Sequence, residues 1–337
     1  MKLNVKQIRA ITCGAVRVEE TEFGFGFNRF TKEQEEMYKE RKEEFYIRCF
    51  ATSGITLRFN TDSKNIFLKG RTTRGSSRKY YSVDVTVNKK PWDHIDNFSN
   101  IEVPERYAGM TLELGDFEKN ISLGDGEKEV CVYLPWGHNA EFSEISLDDG
   151  ATIVPIKYEK KLLAFGDSIT HGYDALRNYD KYITKLAEAL ECEEYNKAIG
   201  GERFIPSLSA LKEDFVPDII TVAYGTNDWN NEDADTFVKH CSEFFENLCT
   251  SYPQVPIFAI TPIWRADLEG ERKMGPFENT EKLIRKITEK YDNVKVFSGM
   301  ELFPKDYTLF ADHKLHPSSK GFEHYFKNLY EKIKEYV

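Results

Sequence analysis

The second half of the chain alternates short apolar segments with longer amphipathic segments, and this alternation restricts the fold more than any other feature. Four apolar segments are predicted to be buried strands, at residues 162–165, 219–223, 257–260 and 294–297. Segments with helical periodicity follow at residues 180–190, 234–251, 278–291 and 320–335. Strands that alternate with helices at this spacing form a parallel sheet with helices on both faces. We therefore predict an α/β domain over residues 156–337.

The first half has a different pattern, in which short strand-like segments follow one another with almost no helical signal. They alternate in polarity or are rich in β-branched residues, at residues 55–59, 65–68, 81–87, 110–114 and 129–134. One charged segment, residues 31–44, is predicted to be a helix that begins at Thr31. The pattern predicts an all-β domain over residues 1–155, a sandwich of the jelly-roll type.

Composition and charge limit the classes of partner. Forty per cent of the 337 residues are hydrophobic, which is enough for two packed cores. The formal net charge of −10 argues against nucleic-acid binding, because such a surface needs an excess of basic groups to neutralise phosphates. We find neither an apolar segment of transmembrane length nor a signal-peptide core, so we expect a cytoplasmic protein with no membrane partner. Nothing in the sequence indicates an oligomeric state.

Residues suited to acyl transfer follow the predicted strands. In an open parallel sheet, ligand sites form beyond the carboxyl ends of the strands. Ser168, Gly201 and Asn227 lie at such ends, and the loop before the last helix supplies His316. A serine nucleophile needs a base, and the tetrahedral oxyanion needs fixed donors. We predict Ser168 as nucleophile, His316 as base, and an oxyanion hole formed by the backbone N–H groups of Ser168 and Gly201 with the Asn227 amide.

Four short blocks of this sequence resemble those of a known superfamily. They are FGDSIT, NKAIGG, YGTND and HP followed by a helix. In this order they resemble the nucleophile, glycine, asparagine and histidine blocks of the SGNH, or GDSL-type, hydrolases. The resemblance covers about residues 160–337. It implies a flavodoxin-like three-layer fold, hydrolysis of an ester or amide through an acyl-enzyme, and no metal or other cofactor.

The last block departs from the family pattern. An aspartate usually stands three residues before the histidine, but that position is His313 here, and Asp312 lies one residue further back. A bulged turn would let Asp312 reach the imidazole of His316 and complete a triad. The alternative is a Ser-His dyad in which a backbone carbonyl accepts the imidazole proton. Asp167 precedes the nucleophile and is predicted to brace the loop.

The first half narrows the resemblance further. Its strand-rich stretches, followed by an SGNH half, resemble family 2 carbohydrate esterases, which remove acetyl groups from plant polysaccharides and oligosaccharides. The resemblance implies an acetylated oligosaccharide as substrate. Aromatic residues around the cleft would stack on sugar rings, so Trp229 and Trp264 are predicted substrate contacts, with Arg265 as a hydrogen-bond donor.

Two other functions stay open at this stage. The chain could be a lipid or aryl esterase of short-chain type, or an acyltransferase that uses the same residues. A different class is an inactive glycan-binding protein, to which the displaced aspartate would point.

Overall fold

The computed structural model describes residues 1–270 and 272–337. The N-terminal half, residues 1–155, contains three helices, α1 (Val5–Ile11), α2 (Lys32–Arg41) and α3 (Glu43–Cys49). Its strands are β1 (Thr12–Cys13), β2 (Arg17–Glu20), β3 (Phe25–Asn28), β4 (Thr56–Thr61), β5 (Asn65–Arg74), β6 (Ser82–Val87), β7 (Lys90–Asp96), β8 (Asp116–Ser122), β9 (Lys128–Tyr133), β10 (His138–Leu147) and β11 (Val154–Pro155).

These strands form two antiparallel sheets that share one apolar core. One sheet has the order β1-β4-β9-β6-β7, with β11 beside β4, and the other has the order β2-β3-β10-β5-β8. Leu57 and Phe59 of β4 pack in the same buried cluster as Ile66 and Leu68 of β5, which belongs to the other sheet. Two sheets that bury their inner faces against each other form a sandwich. The jelly-roll type and the boundary at residue 155 stay predictions.

The C-terminal half, residues 156–337, forms a parallel sheet flanked by helices. Its strands are β12 (Lys160–Gly166), β13 (Cys192–Asn196), β14 (Ile219–Ala223), β15 (Ile257–Ile260) and β16 (Val294–Phe297). Its helices are α4 (Ser168–His171), α5 (Tyr182–Ala189), α6 (Pro206–Ala210), α7 (Thr226–Asn231), α8 (Ala234–Ser251), α9 (Glu278–Thr288), α10 (Gly299–Leu302) and α11 (Ser319–Ile333). The strand order β13-β12-β14-β15-β16 is the doubly wound, flavodoxin-like order.

Successive residues of β12 show why this half has three layers. Leu163 and Phe165 belong to the apolar cluster that also contains the buried face of α8. Leu162 and Ala164 belong to a second cluster, which contains the buried faces of α5 and α11. Because side chains alternate along a strand, the sheet is apolar on both faces and is covered by helices on both. Among the described helices, none is long and apolar enough to cross a bilayer.

The structure differs from the sequence prediction in several elements: α1, β7 and β10 were not predicted, and three further differences concern residues 110–114, residues 31–44 and β13. Residues 110–114 form no strand, and β8 begins only at Asp116. The predicted helix at residues 31–44 is two helices, because Lys42 has an extended backbone (φ −169°, ψ 126°) that ends α2. The edge strand β13 was not predicted. Its sequence, CEEYN, is mostly polar, and its Glu194 is buried through an ion pair with Lys181.

A buried arginine ties the two halves together. Arg29, which follows β3, donates to the carbonyl oxygens of Asn196 and Ala198 at 2.7 and 3.0 Å. It also donates to the carbonyls of Ala51 and Arg48 in its own half. A guanidinium that satisfies several buried carbonyls fixes their relative positions. The N-terminal half therefore holds the segment that leads from β13 to Gly201.

Candidate active site

Ser168 stands on a tight turn between β12 and α4. A Cβ atom at Gly166 would lie 2.3 Å from Thr170 Oγ1, so the strand can pass this close to the helix only with glycine. The Asp167 side chain caps α4 by accepting a hydrogen bond from the backbone N–H of Ile169 at 2.9 Å. Burial raises the pKa of Asp167 to about 6. This turn places Ser168 as the first residue of α4.

His316 reaches the serine from the loop before α11. Its Nε2 lies 2.9 Å from Ser168 Oγ, and its ring stacks on Tyr173 with the centroids 5.5 Å apart. The loop is closed by a hydrogen bond from the backbone N–H of Ala311 to the His316 carbonyl. The two residues predicted as nucleophile and base are therefore in hydrogen-bond contact.

Asp312 contacts the other ring nitrogen. Its Oδ2 lies 2.8 Å from His316 Nδ1, and its Oδ1 accepts from the backbone N–H groups of Lys314, Leu315 and His316. Burial alone would raise the pKa of Asp312, but the hydrogen bond and charge of His316, with these N–H groups, bring it well below the usual range. A neutral imidazole then carries its proton on Nδ1, so Nε2 can accept the serine proton.

The extra residue in this loop is accommodated by one backbone torsion. His313 has a φ of +56°, in the left-handed region that side chains other than glycine rarely adopt. This residue turns the chain between Asp312 and His316, so a carboxylate four residues before the histidine reaches it. The structure thus places Asp312 at Nδ1, and no backbone carbonyl takes that position among the described residues.

The predicted oxyanion donors lie on neighbouring loops. Gly201 has a φ of +82°, and the Asn227 amide donates to the carbonyl of the adjacent Glu202 at 2.9 Å. The backbone N–H groups of Ser168 and Gly201 donate to no protein acceptor within the described residues. One amide hydrogen of Asn227 is also left over from its bond to Glu202. Three donors are therefore available for a substrate oxygen.

The N-terminal half holds the glycine loop in place. Arg48 of α3 donates to the Gly200 carbonyl and pairs with Glu44. A Cβ at Gly200 would lie 2.4 to 2.5 Å from the Tyr173 ring, so glycine alone fits there. The Gly200 N–H donates to His171 Nδ1 at 3.2 Å. No short sequence motif indicated the part of Arg48, because it lies 152 positions from its partner.

The sequence analysis also missed Asp174 and Arg78. Asp174 is buried, and its Oδ2 lies 3.7 Å from His316 Nδ1. Arg78, from the N-terminal half, donates to both carboxylate oxygens of Asp174 at 2.6 and 2.9 Å. Neither residue belongs to a recognisable block, and they lie 96 positions apart, so only the folded chain reveals the pair.

Asp174, Asp312 and His316 also have a geometry that a metal ion could use, since their ligand atoms lie within 4.8 Å of one another. The guanidinium of Arg78, however, already binds both oxygens of Asp174 and lies 3.4 Å from His316 Nδ1. A cation at this place would have to displace an arginine. The donor set favours hydrogen bonding over metal binding, and the metal-free site stays our prediction.

The predicted substrate contacts have a different environment. Trp229 and Arg265 are only 2% and 4% exposed. Trp229 Nε1 donates to the Gly275 carbonyl at 2.9 Å, and Arg265 pairs with Asp267. Trp264 is half-buried and stacks on a neighbouring phenylalanine. The structure therefore does not present Trp229 and Arg265 as an exposed sugar-binding surface, although Trp229 forms part of the wall of an open cavity of about 520 Å³.

Asp228, next to Asn227, is expected to be protonated at neutral pH. One oxygen accepts from the Phe204 N–H at 3.0 Å, and the other has no partner among the described residues. Burial, with the nearby Glu232 carboxylate, raises the pKa of Asp228 from 3.8 to about 8. The folded protein binds the extra proton between these values, so this group makes the wild type less stable as pH rises through that range.

Asp228→Asn should remove this pH dependence, because an amide does not titrate. The quantity compared is the free energy of unfolding of the variant minus that of the wild type. We expect this difference to be roughly 2–4 kcal/mol larger at about pH 8 than at about pH 5, because only the wild type loses stability over this range. Urea unfolding of both proteins at the two pH values measures the difference. A difference that is the same at both would show that Asp228 is ionised throughout.

The sequence comparison agrees with the four blocks. Residues 164–324 match the model of the GDSL-like Lipase/Acylhydrolase family. The C-terminal half thus contains a GDSL/SGNH lipase-acylhydrolase domain, and the predicted resemblance is confirmed. The sequence has no significant match among curated proteins.

Several solved structures share the fold of almost the whole chain. A salicylyl-acyltransferase from a tetracycline biosynthetic pathway has a TM-score of 0.77 at 19% identity, with 96% of this chain and 94% of that chain covered. A family two carbohydrate esterase from Clostridium thermocellum has a TM-score of 0.63 at 16% identity, with 85% and 93% covered. An acetyl xylan esterase from the rumen bacterium Butyrivibrio proteoclasticus has a TM-score of 0.58 at 16% identity, with 84% and 89% covered. At these identities the similarity shows the fold alone, and at this level the predicted resemblance to the family 2 esterases is confirmed. The division of this chain into two domains stays a prediction.

Proposed function

We propose that this protein is a serine esterase that removes O-acetyl groups from oligosaccharides through an acyl-enzyme. The observation that carries the proposal is the continuous contact from Ser168 Oγ to His316 Nε2 at 2.9 Å and from His316 Nδ1 to Asp312 at 2.8 Å. Such an arrangement activates a hydroxyl at neutral pH, where a free serine is a weak nucleophile.

In the first step, Ser168 Oγ attacks the ester carbonyl carbon while His316 Nε2 accepts the hydroxyl proton. The carbonyl oxygen becomes an oxyanion, which the N–H groups of Ser168 and Gly201 and the Asn227 amide stabilise. Asp312 stabilises the imidazolium. When the tetrahedral intermediate collapses, the bond to the sugar oxygen breaks, and His316 returns its proton to that oxygen as the alcohol leaves.

In the second step, water attacks the acetyl-serine. His316 accepts a proton from the water and then donates it to Ser168 Oγ as the acyl bond breaks. Acetate and the free serine are the products. No step of the proposed mechanism uses a cofactor.

The acetylated sugar is supported by the fold shared with a family two carbohydrate esterase and an acetyl xylan esterase. Trp264 is half-buried and remains a candidate contact for a sugar ring. Trp229 donates to the Gly275 carbonyl, and Arg265 donates to the Asp267 carboxylate. In this proposal the two side chains therefore stabilise the segments that carry these partners and do not bind the substrate directly.

The experiment that tests this function measures acetate release from a mixture of acetylated manno- and xylo-oligosaccharides. We expect release by the wild type and none above background by Ser168→Ala. Acetate release from p-nitrophenyl acetate but not from the oligosaccharides would support the esterase activity and reject acetylated oligosaccharides as the substrate. Faster turnover of esters with acyl chains of about eight or more carbons would indicate the lipid or aryl esterase instead.

An acyltransferase is the second candidate, because the salicylyl-acyltransferase shares the fold over almost the whole chain. In that case an acceptor hydroxyl, rather than water, would attack the acyl-serine. Adding glycerol or a free oligosaccharide as acceptor would then yield an acylated product and less free acid. A site that binds acetylated oligosaccharide but releases no acid from any ester would point to the inactive glycan-binding protein.

We also propose that the enzyme acts in the cytoplasm, on oligosaccharides taken up by the cell. The sequence prediction of a cytoplasmic protein supports this location. Activity found in the culture medium and absent from washed cells would contradict it.

A further inference from the structure

A second carboxylate faces the imidazole of the base. Besides Asp312, whose Oδ2 lies 2.8 Å from His316 Nδ1, Asp174 places its Oδ2 3.7 Å from the same nitrogen. Asp174 lies on the loop that leaves α4, and its side chain is completely buried. Its φ of +71° is rare outside glycine, so the surrounding contacts hold the residue in this place.

The N-terminal half supplies those contacts. Arg78, in the loop between β5 and β6, donates through Nε and Nη2 to the two oxygens of Asp174. Tyr80 donates its hydroxyl proton to Asp174 Oδ1 at 2.5 Å, and Tyr107 donates to the Asp174 carbonyl at 2.6 Å. The Arg78 guanidinium also lies over the Tyr173 ring, on which His316 stacks. All three donor residues come from the half that the sequence assigned to an accessory domain.

We propose that Asp174 and Arg78 are positioning residues that act on His316 as a balanced charge pair, and that the N-terminal half thereby sets the pH range of the reaction. The proposal rests on the serine-esterase function proposed above. It assigns the N-terminal half a part in catalysis itself, beyond any part in binding substrate.

The charges around His316 explain the balance. Asp312 from its own loop and Asp174 from the α4 loop both favour the imidazolium, whereas Arg78, with Nη2 at 3.4 Å from Nδ1, opposes it. Asp167, in the nucleophile turn, also interacts electrostatically with the imidazole, and the uncharged Tyr173 ring covers one face. Since Asp174 and Arg78 cancel, the imidazole interacts mainly with Asp312, as in an ordinary triad.

Removing either member of the pair should therefore shift the acid limb of the pH–rate profile, in opposite directions. Asp174→Asn leaves the Arg78 charge uncompensated, so His316 stays unprotonated to lower pH. The acid limb of the pH–rate profile should therefore shift to lower pH. Arg78→Gln leaves two carboxylates beside one imidazole, so the acid limb should shift to higher pH. We expect shifts of about 0.5–1 pH unit, and a limb close to that of the wild type in the double variant.

The measurement is kcat/KM for p-nitrophenyl acetate between about pH 4 and about pH 9. Arg177→Gln is the matched control. Arg177 also links the halves, through Asp96 at 2.8 Å and the Ser82 hydroxyl, but it makes no contact with His316 within the described residues. Its acid limb should coincide with that of the wild type.

Opposite shifts in the single variants, cancelled in the double variant, support the pair. Shifts in the same direction, or a lower kcat with an unmoved limb, would overturn the proposal and leave Asp174 with a purely structural part. If Arg78→Gln does not fold, a downward shift in Asp174→Asn is still required. The assay uses a simple acetyl ester, so it gives the same information if acetylated sugars prove not to be the substrate. Full activity in Ser168→Ala, in contrast, would reject the serine-esterase function on which the proposal rests.

Discussion

Ser168→Ala is expected to lower kcat for ester hydrolysis by about 10⁴-fold or more, to the level of the oxyanion site alone. The substitution removes the only atom that can form the acyl-enzyme in the proposed mechanism. Ser168 Oγ also holds the hydrogen bond to His316 Nε2, so the base loses its proton donor at the same time. Steady-state kinetics with p-nitrophenyl acetate and with acetylated oligosaccharides measure the loss.

The protein should remain folded, because Ser168 caps nothing through its side chain and the turn depends on Asp167 and Gly166. Thermal unfolding checks this point. Ser143→Ala is a suitable control, since its hydroxyl lies on β10 of the N-terminal half and contacts the Lys69 carbonyl. Substantial activity in Ser168→Ala, together with an acetyl group trapped on another residue, would show that the nucleophile lies elsewhere.

Asp312→Asn is expected to lower kcat by about 10²–10⁴-fold with little change in KM. The three backbone N–H groups that bind Oδ1 would keep the asparagine oxygen in that position, so its NH₂ group would face His316 Nδ1. The imidazole would then have to accept at Nδ1 and carry its proton on Nε2. In that tautomer Nε2 cannot take the proton of Ser168.

Kinetics of the variant distinguish the triad from the dyad. A change of less than about threefold would mean that a backbone group can orient His316 and that Asp312 only shapes the loop. Asp148→Asn is the matched control. Asp148 Oδ2 likewise accepts from two backbone N–H groups and a serine hydroxyl, but in the N-terminal half, and it contacts no histidine within the described residues. The control should retain the kcat of the wild type.

The strand-helix alternation predicted the strands correctly where a segment is buried because its own residues are apolar. The apolar segments at residues 219–223, 257–260 and 294–297 form β14, β15 and β16 with the predicted bounds. The edge strand β13 was missed, because its glutamates are buried by partners from other parts of the chain. Lys181 and Thr184 bind Glu194, and neither contact leaves a trace in local periodicity.

The sequence by itself indicated the strand-helix alternation of the second half and the residues that carry the proposed chemistry. Strand ends of a parallel sheet meet at one edge, so Ser168 and Asn227 could be placed together from periodicity and residue type. Gly201 was placed with them through the NKAIGG block, because the strand before it, β13, was not predicted. The reason is local: a nucleophile turn, a glycine loop and an asparagine turn are each encoded by a few adjacent residues.

Only the tertiary structure decided how His316 is held. Whether Asp312 reaches Nδ1 depends on the left-handed backbone of His313, which no residue pattern announces. The pairing of Asp174 with Arg78 depends on how two sheets and a helix layer pack, over a separation of 96 residues. The burial of Trp229 and Arg265 has the same origin. These features depend on contacts between residues that lie far apart in the sequence. The environment of a charged group or an aromatic ring is therefore determined only when the chain has folded.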